Sequence, residues 1–253
     1  MRRLPIVTLS ESDGVRHLHF GNEWIQGSMR LSRPDRLELE YAQQMMSWLL
    51  FLETKKNFRI TQLGLGTGML SKFCYMQLPL AQVEAVEINP AVIIAARSMF
   101  YLPPDNQRLR VIEQDASEYV SNAEKAASAD ALQLDLYDAR ARGPVLGSLA
   151  FYRACRATLR SPGVLTVNLF GNHASFDPHL QRLRQAFSGR VLLMPQVHDG
   201  NVVALAFQGP PLMVSKADLL ARAKIIQQAI GLPAKKWVTG LFATNHFGRH
   251  LHV

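Results

Sequence analysis

One glycine loop and four acidic side chains carry most of the chemistry open to this chain of 253 residues. The loop is Leu63-Gly64-Leu65-Gly66-Thr67-Gly68, and Glu87 comes nineteen residues after its last glycine. Glycines carry no Cβ, so the backbone can turn sharply there and approach a ligand closely. A carboxylate at the tip of the following strand can accept both hydroxyl protons of a ribose. Asp115, next to Ala116, follows the third apolar run. It can accept from an adenine amino group while the next backbone N–H bonds the ring, although an aspartate here also serves as a helix N-cap. Asp135 and Asp138 flank Tyr137 at the end of a fourth run. Two carboxylates so spaced can hold an amine, take a proton from it and favour a positive sulfonium nearby. The plain structural alternative for this pair is a turn-forming aspartate beside a solvated one.

The loop spacing is GxGxG, and Met69-Leu70-Ser71-Lys72 supplies no third glycine at the dinucleotide spacing. S-adenosylmethionine-type ligands have no pyrophosphate to seat on a helix terminus, so this pattern fits them better than dinucleotides.

These residues need a scaffold that brings strand tips together. From Phe58 onward the sequence reads strand, helix, strand, helix. Strands are expected near 59–64, 82–87, 108–113, 131–136, 163–169, 190–195 and 201–208, with helices near 67–78, 90–99, 115–128, 147–160 and 177–188. The apolar runs are nearly continuous, as in parallel strands covered on both faces. An α/β class with a doubly wound sheet follows. The segment 195–201 reads as a turn between two last, antiparallel strands. Residues 4–30 alternate and are punctuated by Gly14, Gly21 and Gly27, which predicts a small β-stranded appendage. A helix is expected from about Arg36 to Glu53, with Asp35 as N-cap and Glu38 completing a capping box. A last helix is expected over about 215–230. The expected division is 1–54, 55–210 and a basic helical segment over 211–253.

Composition narrows the function classes. The chain is 48% hydrophobic and 19% charged, which supports a sizeable core and excludes global disorder. No apolar stretch approaches the ~20 residues that span a bilayer, and no signal-peptide pattern follows Met1-Arg2-Arg3. Cys74 and Cys155 lie far apart in apolar contexts and read as buried, reduced thiols of a cytoplasmic protein. The eight histidines show no ligand spacing, so no metal is expected. The net charge is +8, and the final 43 residues hold six basic and one acidic side chain. Those charges are scattered and read as a solvated face rather than a nucleic-acid surface. Trp237 and Phe242 are expected to pack back on the domain.

The chain resembles the spermidine synthase, or polyamine aminopropyltransferase, family from about Leu18 to Phe207. Arg36-Leu-Glu-Leu-Glu-Tyr41 is similar to its "RDEFxY" motif. The glycine loop, Glu87-Ile-Asn-Pro90 and Asp115-Ala116 follow in order. So do Asp135-Leu-Tyr-Asp138, Gly143-Pro144, and Phe151-Tyr152. The resemblance implies a Rossmann-like, methyltransferase-type core behind a small N-terminal β-stranded domain, and a homodimer or tetramer. It implies aminopropyl transfer from decarboxylated S-adenosylmethionine to a small amine such as putrescine. On matching positions, Gly64, Gly66, Gly68, Glu87, Asp115 and Ala116 would bind the nucleoside. Asp135 would accept the proton from the amine, Asp138 would hold the polyamine, and Tyr41 would line the pocket.

Four positions depart from the family pattern. Thr67 stands where an aspartate is usual, Ala42 where a histidine or glutamine is usual, and Arg140 and Arg142 enter the loop after the aspartate pair. Because putrescine is a dication, lost carboxylates and added arginines bear on acceptor binding. Two other readings therefore stand beside aminopropyl transfer. One is an S-adenosylmethionine-dependent methyltransferase, with Thr67 making room for the carboxylate of the intact cofactor. The other is a non-catalytic protein that retains the nucleoside pocket.

Overall fold

The computed structural model describes residues 4–138 and 143–253, so Arg140 and Arg142 lie outside the described residues. The alternating N-terminal segment forms an antiparallel meander of β1 (Thr8–Ser12), β2 (Val15–His19) and β3 (Ile25–Arg30). Its Leu18 and Met29 are fully buried and join the hydrophobic cluster beneath the main sheet.

The helix expected over 36–53 is much shorter. Helix α1 covers only Glu40–Gln44, and a 3-10 turn over Ser47–Leu50 follows it. The N-cap is Leu39, with no side-chain cap bond, so the capping box of Asp35 and Glu38 does not form. Glu38 pairs with Arg30 of β3 instead, and Leu37 is buried. Tertiary contacts override a local signal of modest strength.

The core alternates as the sequence indicates. It runs through β4 (Phe58–Leu63), α2 (Met69–Gln77), β5 (Ala81–Glu87), α3 (Pro90–Ser98) and β6 (Leu109–Glu113). Next come α4 (Ala116–Ser121), β7 (Ala129–Leu134), α5 (Leu149–Thr158) and β8 (Leu159–Phe170). Helix α6 (Phe176–Ala186) leads to β9 (Val191–Leu193) and β10 (Asn201–Gln208). The seven strands lie in the order β6-β5-β4-β7-β8-β10-β9. Strands β4 to β8 are mutually parallel, and β10 is antiparallel to both its neighbours. The chain winds outward in opposite directions from β4 and β7, which opens a crevice at their carboxyl ends.

Successive strand residues feed opposite faces. Phe58, Ile60, Val83, Ala85 and Val203 pack under α2 and α3, while Val86, Leu132, Leu134 and Leu165 pack against α4, α5 and α6. Both thiols are buried, Cys74 in α2 and Cys155 in α5, and burial pushes each pKa up.

The C-terminal part holds more than the expected helix. It comprises β11 (Met213–Ser215), α7 (Lys216–Ile230), α8 (Ala234–Thr244) and β12 (His250–His252), with β12 antiparallel to β11. Trp237 and Phe242, 3% exposed each, turn inward as expected, on the same face of α8 as Val238 and Leu241. No helix among the described residues is long and apolar enough to cross a membrane.

Candidate active site

Glycine is required where β4 ends. Gly64 has φ +89°, and a Cβ on it would stand 2.1 Å from the carbonyl oxygen of Asp135. Any side chain would drive the tips of β4 and β7 apart. The Gly64 N–H donates to the carbonyl of Val86 at 2.9 Å, and the Asp135 N–H donates to that of Leu63 at 2.9 Å. The glycine loop is thereby tied to both acid-bearing strand tips.

A cleft of about 910 Å³ opens at these tips, within the range that holds a nucleoside-sized ligand with a small second substrate. It is lined by Gly64, Gly66, Glu87, Asp115 and Ala116 on one side, and by Asp135, Asp138 and Tyr41 on the other. Gly68 does not line it. It is the N-cap of α2 in a left-handed conformation, and its α-carbon faces Leu102.

Each oxygen of the Glu87 carboxylate accepts one backbone N–H, from Leu65 at 2.9 Å and from Asn89 at 2.9 Å. Two bonds leave lone pairs for further donors such as ribose hydroxyls. Burial pushes its pKa up, and these backbone bonds offset part of that rise. Asp115 caps α4, accepting from the Ser117 N–H at 2.7 Å, while still lining the cleft beside Ala116. The cap and cleft positions therefore coincide.

Asp135 is held from two sides. Asn168 Nδ2 donates to its Oδ1 at 2.9 Å, and the Tyr41 hydroxyl lies 3.4 Å from its Oδ2. Asn168 Oδ1 in turn accepts from Asn201 Nδ2 at 3.0 Å, which also reaches the Tyr137 hydroxyl at 3.2 Å. Burial raises the pKa of Asp135, and the bonds from Asn168 and then Tyr41 pull it partly back. Burial and then the neighbouring Asp135 charge hold the Tyr41 phenol well above its usual value, so it stays protonated and donates. The Asp138 carbonyl accepts from Gln26 Nε2 at 3.3 Å, which brings β3 against the aspartate pair.

Sequence reading missed Asn168, Asn201 and Asp199, all of which line the cleft. Asn168 offered a signal: it is a fully buried amide inside the apolar run Val164–Phe170, and a buried amide needs a partner. Asp199 offered none beyond its place in a turn.

The charge of the cleft opposes that of the chain. Against a net charge of +8, it is lined by six carboxylates, Glu23, Glu87, Asp115, Asp135, Asp138 and Asp199, and among the described residues by no lysine or arginine. Such a surface concentrates cations.

Comparison with known proteins follows the same line. The polyamine aminopropyltransferase of Neisseria meningitidis serogroup A is 35% identical, over 98% of this chain and 94% of its own. That of Chromobacterium violaceum is 34% identical, over 96% and 91%. The mouse eEF1A lysine and N-terminal methyltransferase is 24% identical over 74% of this chain but only 28% of its own length. No family model matches the chain. Among solved structures, a probable spermidine synthase from Corynebacterium glutamicum superposes with a TM-score of 0.72 at 18% identity, covering 94% of this chain and 91% of that one. Human methyltransferase-like protein 13 in complex with SAH gives 0.66 at 20% identity, over 76% and 93%. A spermidine synthase in complex with the transition state analogue AdoDATO gives 0.60 at 21% identity, over 81% and 74%. These likenesses carry the fold: a Rossmann-like core with an N-terminal β-stranded part.

Proposed function

We propose that this chain, which belongs to the polyamine aminopropyltransferase family, moves an aminopropyl group from decarboxylated S-adenosylmethionine to an amine such as putrescine. The observation that carries the proposal is that every charged side chain lining the cleft, among the described residues, is a carboxylate. Both substrates are cations, a sulfonium with an ammonium tail and a diammonium, and carboxylates that replace water offset part of the cost of desolvating them.

In this reading Glu87 holds the ribose, and Asp115 with the Ala116 N–H holds the adenine. Asp138 and Tyr41 line the acceptor side. Asp135 takes a proton from the acceptor ammonium. The freed nitrogen lone pair attacks the propyl carbon bonded to sulfur. The C–N bond forms as the C–S bond breaks, its electron pair returns to sulfur, and neutral methylthioadenosine leaves. A carboxylate whose pKa is raised by burial is a better proton acceptor than an ordinary aspartate, and the Asn168 and Tyr41 bonds keep it aimed.

The methyltransferase reading is weaker. It needs space at Thr67 for the carboxylate of the intact cofactor. Thr67 is buried and does not line the cleft, and its side chain packs under Gly27 of β3. The SAH and AdoDATO complexes of the two structural neighbours support an S-adenosylmethionine-related nucleoside in this cleft. The family supports a homo-oligomer, which sedimentation tests: a lone monomer at micromolar concentration removes that part of the proposal.

Purified protein given decarboxylated S-adenosylmethionine and a panel of di- and polyamines is expected to release methylthioadenosine. Silence across the panel, or turnover only with intact S-adenosylmethionine, overturns the proposal.

A further inference from the structure

The place of the acceptor's second cation follows from which side of Asp135 has room. Asp135 borders two spaces, the large cleft and a small pocket towards Ala42 and Thr67. The small pocket holds about 30 Å³, enough for roughly two waters and far too little for an alkyl chain with a solvated ammonium. It is closed by packing. A Cβ on Gly27 would lie 2.7 Å from the Thr67 methyl, so the Thr67 side chain already fills the approach of β3 to the glycine loop. The two family departures at 42 and 67 thus flank a plugged end.

The open direction runs into the large cleft, past Tyr137 and Asn201. There the turn between β9 and β10 presents Asp199, an exposed side chain followed by Gly200 at φ +91°. No ion pair to Asp199 is formed among the described residues. Asp199 and Asp135 line the same cleft together with Tyr41, Tyr137 and Asn201.

We propose that Asp199 receives the far ammonium of a diamine acceptor and sets a preference for acceptors with two cations over those with one. The proposal rests on the aminopropyl-transfer reading and makes Asp199 a specificity residue of that same site. A carboxylate on the turn before β10 then supplies the cleft with an acid, while the loop position where the family usually has an aspartate carries Thr67 and stays outside it. A single acid on a turn, reached through an open cleft, also tolerates variation in chain length better than a buried aspartate at a closed end.

The test compares putrescine with n-butylamine, which has the same carbon chain and one nitrogen fewer. Wild-type protein is expected to favour putrescine in kcat/KM, with methylthioadenosine release as readout. In Asp199→Asn that selectivity should fall about tenfold or more, mainly through the KM for putrescine, as expected when a cation loses its charged partner. Asp199→Glu should restore most of it. Unfolding midpoints of both variants within a degree or two of wild type keep a folding defect out of the comparison. A selectivity within twofold of wild type in Asp199→Asn overturns the proposal and leaves aminopropyl transfer standing. So does a wild type that turns over both amines equally well. If wild type turns over neither amine, both the proposal and the reading beneath it fall.

Discussion

Replacing Asn168 by leucine isolates the proton-accepting role given to Asp135. The two side chains share a γ-branched shape, leucine being the larger, and the leucine removes the 2.9 Å bond to Asp135 Oδ1. Asn201 keeps a partner in the Tyr137 hydroxyl. A hydrogen bond to a charged group contributes about 1.5–3 kcal/mol, and about 1.4 kcal/mol corresponds to one pKa unit. Asn168 is 1% exposed, so solvent does not replace the lost donor. The Asn168 bond favours the carboxylate over the acid form, and losing it raises the pKa of Asp135 further. Only the carboxylate can take the proton. The acidic limb of the kcat/KM profile should therefore move to higher pH, by about one to two units. The assay is methylthioadenosine release across the acid and neutral range at saturating nucleoside. A variant that is slower at every pH, with its acidic limb unmoved, would refute the assignment, because a purely structural defect lowers the plateau without shifting the titration.

Three further outcomes are expected. Gly64→Ala places a Cβ 2.1 Å from the Asp135 carbonyl in a residue at φ +89°, so we expect at least ~2 kcal/mol of destabilisation in urea denaturation and near-complete loss of activity. Glu87→Gln should weaken methylthioadenosine binding about ten- to a hundredfold by calorimetry, since charge-assisted bonds to the ribose become neutral ones. Lys72, buried with its Nζ donating to the Phe100 carbonyl at 2.6 Å, has its pKa lowered by burial from 10.5 to about 8. The unfolded chain keeps this proton up to a higher pH than the folded one, so stability rises as pH passes from about 8 to 10.5, by up to roughly 3 kcal/mol. Lys72→Met should remove that rise in pH-dependent urea denaturation. An equal rise in the variant would mean other groups carry it.

The sheet was legible because its strands are continuous apolar runs separated by glycine, proline and asparagine signals, as at Asn89-Pro90, where Asn89 caps α3. The helix over 36–53 was misjudged for a physical reason. Its local cap signal competes with the Glu38–Arg30 ion pair and the burial of Leu37, and both depend on where β3 lies. The β11–β12 pair escaped because three-residue strands carry almost no pattern of their own. At the site, the glycine loop and the strand-tip acids could be read from spacing, since both belong to one local turn each. Asn168, Asn201 and Asp199 come from β8, β10 and the turn before β10, far from Asp135 in sequence. The parallel pairing of β8 with β7 brings Asn168 to it, and the antiparallel return of β10 beside β8 brings Asn201 and Asp199 to the same cleft. The plugging of the Thr67 side by Gly27 was equally invisible, because it depends on the meander folding over the loop.

The most direct measurement is product analysis by mass spectrometry after incubation with decarboxylated S-adenosylmethionine and putrescine, for wild type and Asp135→Asn. The account predicts putrescine enlarged by one aminopropyl group with equimolar methylthioadenosine from wild type. From Asp135→Asn it predicts a loss of at least a hundredfold in rate, with nucleoside binding kept. A methylated product, or an Asp135→Asn variant as fast as wild type, would contradict it.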